Sequence, residues 1–456
     1  MLTGDEYKAS LYDGRVNYIE GRQIVDPCND PLTSTAVDWI ARGYDRVFSN
    51  DAGATNPLMT APRSLDELRV RAAGTREQDL ATNTTYQALM TLLTVAPDME
   101  PTEPEFAVRM RAYVADCLER DVRIAECITD AKGDRSLAPS KQSDPDAYVH
   151  VVSRDRDGIV IRGAKLHITG AALVHELLVL PTKRMSAGEE EYAVACAVPL
   201  NAPGVKIVNT SYAPRVSDDR HFPLTSVENM PDGFVIFDDV HVPFERVFLD
   251  GQTEFSGRFA HSLGLWERLG GTALMADEAD MLVGLAQLVS EANGLARVDH
   301  IREKISELIV YATVIRGCLE AAITHAENLD GFYYPNELYT NAAKFYGAAN
   351  YNVMVRNLHD LAGGAVVTAP TLADRENPAT GPFIDKYMST GPKVPAERRM
   401  RLFHAIRDVT ADAFGGWHLV TNLQSGGGLY AQRIVTRKHY DMARAKRIAE
   451  ETAGLA

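Results

Sequence analysis

A short polar loop, TDAKGDRSLAPSKQ at residues 129–142, carries the side chains best suited to bind a ligand. It contains Thr129, Lys132, Asp134, Arg135, Ser136 and Gln142, broken by Gly133 and Pro139. Arg and Lys bind phosphate, and Ser or Gln can hydrogen-bond the edge of a planar ring. A solvated connecting loop held by a turn at Asp134 and Arg135 explains the composition equally well, so the loop alone leaves both interpretations open.

A second candidate is AKLHITGA, residues 164–171, which ends a Val/Ile-rich run. His167 and Thr169 are two apart, so on a regular strand they point to the same face, and Gly170 follows as a turn. These side chains could hold a ligand, or the stretch could simply end a β-hairpin. The same ambiguity applies to Gly363 and Gly364 in LHDLAGGAVVTAP, because a glycine pair either stops a helix or lets the backbone approach a phosphate.

Several other classes of site are disfavoured by the sequence. It has no GxGxxG after a strand, no GxxxxGK[ST], no HExxH and no GxSxG, and its twelve histidines show no metal-ligand spacing. We therefore predict no metal site. The net charge of −15, from 62 acidic and 47 basic residues, argues against nucleic acid and against an anionic membrane as partners.

The cellular compartment is predicted from sequence features that are missing. No apolar run reaches the length of a spanning helix, and the charged N-terminus MLTGDEYKASLYDGR has no apolar signal-peptide core. The five cysteines are odd in number, scattered and without a CxxC pair. We therefore expect reduced thiols and a cytoplasmic protein.

The elements that must position these side chains follow a helix–strand–helix order. Residues 35–130 are mostly helical in pattern, and we assign residues 1–128 to an N-terminal helical domain. The segment SLDELRV begins a helix with a Ser64 cap and Glu67 three residues on, continuing without Pro to about Leu93. Residues 129–252 alternate polar and apolar residues around turns such as DRDG, typical of antiparallel strands. Residues 253–456 form long Ala-rich helices with one apolar side, expected to pack as a bundle. The sequence thus predicts an α+β protein of three domains.

These segments, taken together, resemble one family. The run ITDAKGDRSLAPSKQSDPDAYVHVVSRDRDGIVIRGAKLHITGA, followed by ELLVLPTKRM, FDDVHVPFERVFL and LAGGAVVTAPTLAD in the same order, is similar to the flavoproteins that include 4-hydroxyphenylacetate 3-monooxygenases and 4-hydroxybutyryl-CoA dehydratases. The resemblance covers essentially the whole chain. It implies an acyl-CoA-dehydrogenase-like fold, with N-terminal helices, a central antiparallel β-barrel and a C-terminal four-helix bundle, usually in a homotetramer.

The resemblance also implies FAD, with its ring between the β domain and the helical bundle. The loop residues, the strand end and the glycine pair would then line the flavin of the same or a neighbouring subunit: Thr129, Lys132, Asp134, Arg135, Ser136, Gln142, His167, Thr169, Gly170, Gly363 and Gly364. In such folds the Thr of the strand end faces the ring, so Thr169 is a better candidate than His167.

The chain departs from both branches of the family. The dehydratase branch holds a [4Fe–4S] cluster with three Cys and one His, and the matching positions here are Thr85, Leu89, Glu267 and Leu274. Without thiolates the cluster should be absent. The monooxygenase branch binds its phenol with an Arg, a Tyr and a His. The matching positions are Thr82, Tyr86 and Glu126, so only the Tyr remains. Glu126 could serve instead as a general base or could bind a cationic substrate.

The preferred interpretation is an FADH2-dependent two-component monooxygenase, in which a separate reductase supplies reduced flavin and a flavin C4a-hydroperoxide oxygenates a small metabolite. Tyr86 and Glu126 are the candidates on the substrate side. Losing the Arg and gaining a carboxylate favours a neutral aromatic or amine-bearing substrate, and hence a biosynthetic role. The alternative is a cluster-free FAD-dependent acyl-CoA dehydratase, isomerase or dehydrogenase. A family member that has lost catalysis and serves as a structural or binding subunit is a third hypothesis.

Overall fold

The computed structural model describes residues 1–214, 218–391 and 393–455. Five helices of the N-terminal part are α1 (Gly4–Ser10), α2 (Ser34–Val47), α3 (Leu65–Ala73), α4 (Leu80–Met99) and α5 (Pro104–Arg120). The strands are β1 (Asn17–Ile19), β2 (Arg22–Gln23), β3 (Ile124–Cys127), β4 (His150–Arg154), β5 (Gly158–Thr169), β6 (Glu176–Val179), β7 (Val194–Pro199), β8 (Val205–Thr210), β9 (Asp232–Pro243), β10 (Val247–Asp250), β11 (Glu327–Leu329) and β12 (Phe332–Tyr334). The C-terminal part contains α6 (Thr253–Ala292), α7 (Asp299–Thr324), α8 (Glu337–Ala362), α9 (Ala365–Thr368), α10 (Leu372–Glu376), α11 (Gly381–Met388), α12 (Ala396–Thr410), α13 (Ala413–Gln424), α14 (Leu429–His439) and α15 (Met442–Thr452).

The long helix predicted from Ser64 to about Leu93 is two helices, so that prediction is wrong at its centre. Ser64 does cap α3, accepting a hydrogen bond from the Glu67 amide. The helix then ends at Gly74, and Asp79 starts α4 by accepting from the Thr82 amide at 2.8 Å. The buried Asp79 favours the start of a new helix at this point, and this preference is stronger than the helical pattern of the residues on either side.

The strands form open sheets rather than the predicted closed barrel. A six-stranded sheet has the order β2-β1-β8-β9-β5-β4, and a four-stranded sheet has the order β10-β7-β6-β3. Among the described residues no ladder joins the edges of these sheets. Their facing side chains share one core, in which Ile161 and Phe237 of the first sheet pack with Val179 and Cys196 of the second.

Strands also occur where the pattern indicates helices. Residues 17–19 pair in parallel with β8, and residues 124–127 pair in parallel with β6. Thus parts of the predicted N-terminal helical domain belong to the sheets. The domain boundaries at 128 and 252 remain predictions.

Three long helices, α6, α7 and α8, pack against one another, with α14 on α8. A separate four-helix bundle is not confirmed, because α4 of the N-terminal part packs on α6 and also contacts β3. Leu89 of α4, Trp266 of α6 and Leu178 of β6 accordingly belong to one apolar core. This contact sets β3, which carries Glu126, against the C-terminal helices.

All five cysteines are free thiols, in agreement with the predicted lack of disulfides. Across the described ranges, no helix combines the length and apolarity that crossing a membrane requires.

Candidate functional site

A buried ion pair anchors the start of the polar loop. Lys165 of β5 lies 2.8 Å from Asp130, and both side chains are 2% exposed. The Lys165 ammonium also donates to the carbonyls of Ile128 and Leu180, and Asp130 accepts from the Val149 amide. With three acceptors for its ammonium, Lys165 fixes the point at which the loop leaves β3.

Three of the predicted loop residues bond mainly to one another. Asp134 accepts from both the amide and the hydroxyl of Ser136, at 2.9 and 2.8 Å. Gln142 accepts from the Asp134 amide and donates to its carbonyl. A Cβ on Gly133, whose φ is +50°, would lie 2.3 Å from the Gln142 oxygen, so only glycine fits there. These bonds give the loop a fixed shape.

The loop leaves several cations close together. Burial lowers the pKa of Lys132, and the nearby Arg135, Lys165 and Lys183 lower it further, against the opposing effect of Asp130. Within the described ranges, Lys165 is the one of these four cations that has an ion-pair partner, Asp130, so the loop is locally electropositive on an acidic protein. Such a cluster suits an anionic group such as a pyrophosphate.

The strand end contains a β-bulge that sequence alternation does not anticipate. The β5–β9 register shifts between Lys165 and Ile168, and His167 has φ +62°. His167 and Thr169 therefore cannot be assigned to one face by counting residues. His167 is exposed, whereas Thr169 is partly buried.

Thr169 is hydrogen-bonded to Asp232, and His167 lies near enough to affect the charge of the same carboxyl. The Thr169 hydroxyl donates to one Asp232 oxygen at 2.8 Å, and the indole N–H of Trp417 donates to the other at 2.7 Å. Burial raises the pKa of Asp232, although these two bonds and the neighbouring His167 oppose the rise. Neither Asp232 nor Trp417 was predicted from the sequence. Asp232 stands in a PDG turn signal, and Trp417 comes from the distant helix α13.

Glu126 lies where β3 faces α6. Its Oε1 is buried and has no hydrogen-bond partner among the described residues. Burial, helped by the negative charge of Glu267, raises the pKa of Glu126 well above its ordinary value. Glu267 is held in place, since it accepts from the Ser425 hydroxyl at 3.0 Å and from the Gly426 amide at 2.7 Å. Glu267 is thus held by two hydrogen bonds, whereas the Oε1 atom of the nearby Glu126 has none among the described residues.

Two buried cations complete this interior cluster. Lys344 of α8 donates to the Asn422 carbonyl at 3.2 Å, and burial lowers its pKa to about 8 even though Glu267 and Glu278 oppose the shift. Arg268 donates to the Gly426 carbonyl at 2.7 Å, and its Nη1 has no partner within the described ranges. Side chains able to donate and accept protons thus meet at the junction of β3 with α6, α8 and α13.

Tyr86 lies on α4 and lines a small pocket together with Arg71 and Trp266. Its ring stacks beneath the Arg71 guanidinium at 4.1 Å and meets Trp266 edge-on at 5.7 Å. Neither the Tyr86 hydroxyl nor Arg71 Nε has a hydrogen-bond partner in the described part of the chain. Burial lowers the pKa of Arg71 to about 10. Arg71 was not predicted, because the comparison with the family placed the position of its Arg at Thr82.

This pocket encloses about 10 Å³, roughly the volume that one water molecule needs. Thr82, the position matching the family's Arg, faces away from it. Its hydroxyl donates to Asp79 at 2.7 Å and accepts from the buried Arg123 at 3.1 Å. Thr82 therefore stabilises the start of α4, and Arg71 is the cation beside Tyr86.

The glycine pair stands apart from the other predicted residues. Gly363 ends α8 with φ +79°, and no described heavy atom lies within 4 Å of a Cβ built on Gly363 or Gly364. Among the contacts of the described residues, none links the pair to the polar loop or to Thr169. The Thr129 carbonyl, by contrast, accepts from the Leu166 amide at 2.7 Å, which places Thr129 beside the strand end.

Comparison with known families matches almost the entire chain. The models of the N-terminal and C-terminal parts of 4-hydroxyphenylacetate 3-hydroxylase match residues 3–249 and 256–454. A 4-hydroxybutyryl-CoA dehydratase/vinylacetyl-CoA-Δ-isomerase of Clostridium aminobutyricum is 26% identical, covering 100% of both chains. The oxygenase component of 4-hydroxyphenylacetate 3-monooxygenase of Thermus thermophilus is 28% identical, over 91% of this chain and 89% of that protein.

Solved structures give the same result for the fold. The oxygenase component of 4-hydroxyphenylacetate 3-monooxygenase complexed with FAD superposes with a TM-score of 0.89 at 25% identity, covering 99% of this chain and 98% of that one. Butyryl-CoA dehydrogenase from Megasphaera elsdenii superposes with a TM-score of 0.52 at 14% identity, over 96% and 98% of the two chains. The expectation of acyl-CoA-dehydrogenase-like relatives is thereby confirmed at the level of the overall fold.

Proposed function

Because the chain belongs to the 4-hydroxyphenylacetate 3-hydroxylase family, as its motifs predicted, we propose that it is the oxygenase component of an FADH2-dependent two-component monooxygenase. A separate reductase supplies the reduced flavin, and a homotetramer in the reducing cytoplasm is its working form. The substrate is a small aromatic or amine-bearing metabolite. The observation that carries the proposal is Glu126, a half-buried glutamate of β3 with a raised pKa and a buried Oε1 that has no hydrogen-bond partner among the described residues.

The residues around the polar loop fit FAD. The electropositive group of Lys132, Arg135 and Lys183 suits the pyrophosphate. Other members of the predicted set supply loop shape or hydrogen-bonding groups: Thr129, Asp134, Ser136, Gln142, His167, Thr169, Gly170, Gly363 and Gly364. The reduced cofactor, when bound, would supply the electrons that activate O2. We place Thr169 beside the ring, with Asp232 accepting a hydrogen bond from its hydroxyl and Trp417 donating to the other oxygen of Asp232.

Glu126 and Tyr86 serve the substrate in this proposal. A carboxyl with a raised pKa is a stronger base than an ordinary carboxylate, so ionised Glu126 can take the proton of a phenol more readily. Protonated Glu126 can donate a hydrogen bond instead. The free Tyr86 hydroxyl offers a second polar contact, with Arg71 beside it. The apolar core around Trp266 and Leu89 excludes water from this region.

We also propose that the protein works without an iron–sulfur cluster. The four positions matching the cluster ligands hold no thiolate and no imidazole. Thr85, at one of them, donates to the Ala81 carbonyl and accepts from the Ile124 amide, so it ties α4 to β3.

A second candidate function is an FAD-dependent acyl-CoA dehydratase, isomerase or dehydrogenase. Two observations favour it: the whole-length match to the dehydratase/isomerase, and the electropositive loop, which would equally suit the phosphates of coenzyme A. This alternative also uses Glu126 and Glu267 as an acid–base pair.

One experiment separates the two functions. The purified protein is loaded anaerobically with FADH2 and mixed with O2 in a stopped-flow instrument, with and without candidate phenols. Delayed reoxidation and a hydroxylated product support the monooxygenase. Tight binding of acyl-CoA to the protein with oxidised FAD, without hydroxylated product, would replace it with the alternative. Protein that binds FAD in neither redox state would overturn both.

The role of Glu126 needs its own comparison. Glu126→Gln should bind FADH2 as the parent does but form much less hydroxylated product. Glu245→Gln is the matched control, because Glu245 is an exposed carboxylate beyond β9. Normal product formation by Glu126→Gln would remove Glu126 from the chemistry.

A further inference from the structure

Two imidazoles and a carboxylate from three different helices meet in a small cluster outside the proposed active site. His261 lies on α6, Glu337 is the first residue of α8, and His439 is the last residue of α14. The Nε2 atoms of His261 and His439 lie 2.6 and 3.1 Å from Glu337 Oε2. One ligand atom from each side chain falls within 4.8 Å of the other two.

An ordinary ion pair explains this geometry poorly. Although His261 Nε2 and Glu337 Oε2 are close, both atoms are buried and neither makes a hydrogen bond to any described residue. In a tetrahedral zinc site with bonds of about 2.0–2.1 Å, ligand atoms stand roughly 3.3 Å apart. The 3.1 Å pair nearly has this spacing, and the 2.6 Å pair must open slightly to admit the ion.

Charged and polar groups surround Glu337. Lys438, next to His439 in the chain, is one of them. Arg268 and Tyr334 also face the carboxylate electrostatically. Lys438 and Arg268 repel a metal ion and so weaken its binding. Two neutral imidazoles and one carboxylate nevertheless form a donor set typical of zinc.

We propose that His261, Glu337 and His439 bind one divalent first-row transition metal ion of the zinc class, which ties the end of α14 to α6 and α8. The three ligands are far apart in the chain, which is why no metal spacing was visible in the sequence. The ion is structural, independent of the flavin chemistry, and leaves at least one coordination position for water.

The test uses the full-length protein, stripped with a chelator, dialysed and titrated with ZnCl2 by calorimetry. Metal content after a second dialysis is measured by mass spectrometry. We expect about one Zn²⁺ per chain and a higher melting temperature in its presence. Glu337→Gln, which keeps the side-chain volume, and His439→Asn should each lower the Zn²⁺ affinity at least about tenfold and abolish the thermal shift.

Two controls address other zinc ligands. His241→Asn removes a histidine from an exposed pair with Asp155, at 3.3 Å, and should leave Zn²⁺ uptake unchanged. The variant with Cys28→Ser and Cys318→Ser removes the two partly exposed thiols and should also retain the ion. Absence of Zn²⁺ uptake by the parent protein would mean an ion-pair cluster only. Full uptake by both Glu337→Gln and His439→Asn would place the ion elsewhere, and either result overturns the proposal.

Discussion

The raised pKa of Glu126 predicts how the stability of the protein depends on pH. Burial and the charge of Glu267 keep a proton on Glu126 in the folded protein. In the unfolded chain the same carboxyl releases its proton above about pH 4.3. Replacing it with Gln keeps the volume and the hydrogen-bonding capacity but removes the titration. The variant Glu126→Gln therefore isolates the contribution of this one proton.

The sign follows from counting protons. Between the unfolded pKa and the raised folded pKa, the folded state binds one proton more than the unfolded state, so stability falls as pH rises. The slope for one proton is at most about 1.4 kcal/mol per pH unit. As the pH rises from about 5 to 7, Glu126→Gln should therefore gain stability relative to the parent, by at most about 3 kcal/mol. Partial access of water to Glu126 makes this gain in stability smaller but does not change its sign.

The assay is urea unfolding of both proteins at fixed protein concentration and at about pH 5, 6 and 7. Glu245→Gln, whose carboxylate is exposed, should follow the parent at every pH. If the two proteins differ in the free energy of unfolding by the same amount at all three pH values, Glu126 titrates like an ordinary glutamate. That result would contradict the prediction.

Three further substitutions test the loop and the strand end. Lys165→Met leaves Asp130 buried without its cation and should cost about 3–5 kcal/mol in the free energy of unfolding, whereas Lys206→Met, at an exposed pair, should cost about 1 kcal/mol or less. Equal losses would show that the buried pair contributes no more than the exposed one. Thr169→Val should weaken FAD binding by about 1–3 kcal/mol in fluorescence titration, with Thr169→Ser close to the parent. Arg135→Ala should weaken it similarly, and Arg135→Lys should restore part of the loss if the contact is to phosphate. Unchanged affinity in Thr169→Val or Arg135→Ala would remove that residue from the flavin site.

The sequence predicted the features that depend on local pattern. The helix–strand–helix order, the Ser64 cap and the β4–β5 hairpin around DRDG all occur. The polar loop was also located, and its internal bonds among Asp134, Ser136 and Gln142 are between near neighbours in the chain. Local chemistry was sufficient here, because each partner lies within ten residues.

What the sequence missed depends on contacts between distant segments. The bulge at His167 arises from pairing with β9, and a regular alternation of faces contains no sign of it. Asp232 and Trp417 meet only because α13 packs near the end of β5. Likewise β1 pairs in parallel with β8 and β3 pairs in parallel with β6, so two short strands of the N-terminal part join the sheets through partners far away in the chain.

Glu126 can act as a general base or can bind a cationic substrate, and its pKa distinguishes these two roles. The same pKa determines how Glu126 affects the stability of the protein at different pH values. A cationic substrate would offset the charge of Glu267 and the loss of water, so its binding would lower the pKa of Glu126 and favour the carboxylate. A neutral phenol brings no such charge, so the pKa of Glu126 would stay raised and its protonated form could donate a hydrogen bond to the phenol oxygen. The bonds of Glu267 to Ser425 and Gly426 hold Glu267 in place in either case. Glu126, with its free oxygen, is thus the member of the pair whose protonation responds to the charge of the substrate.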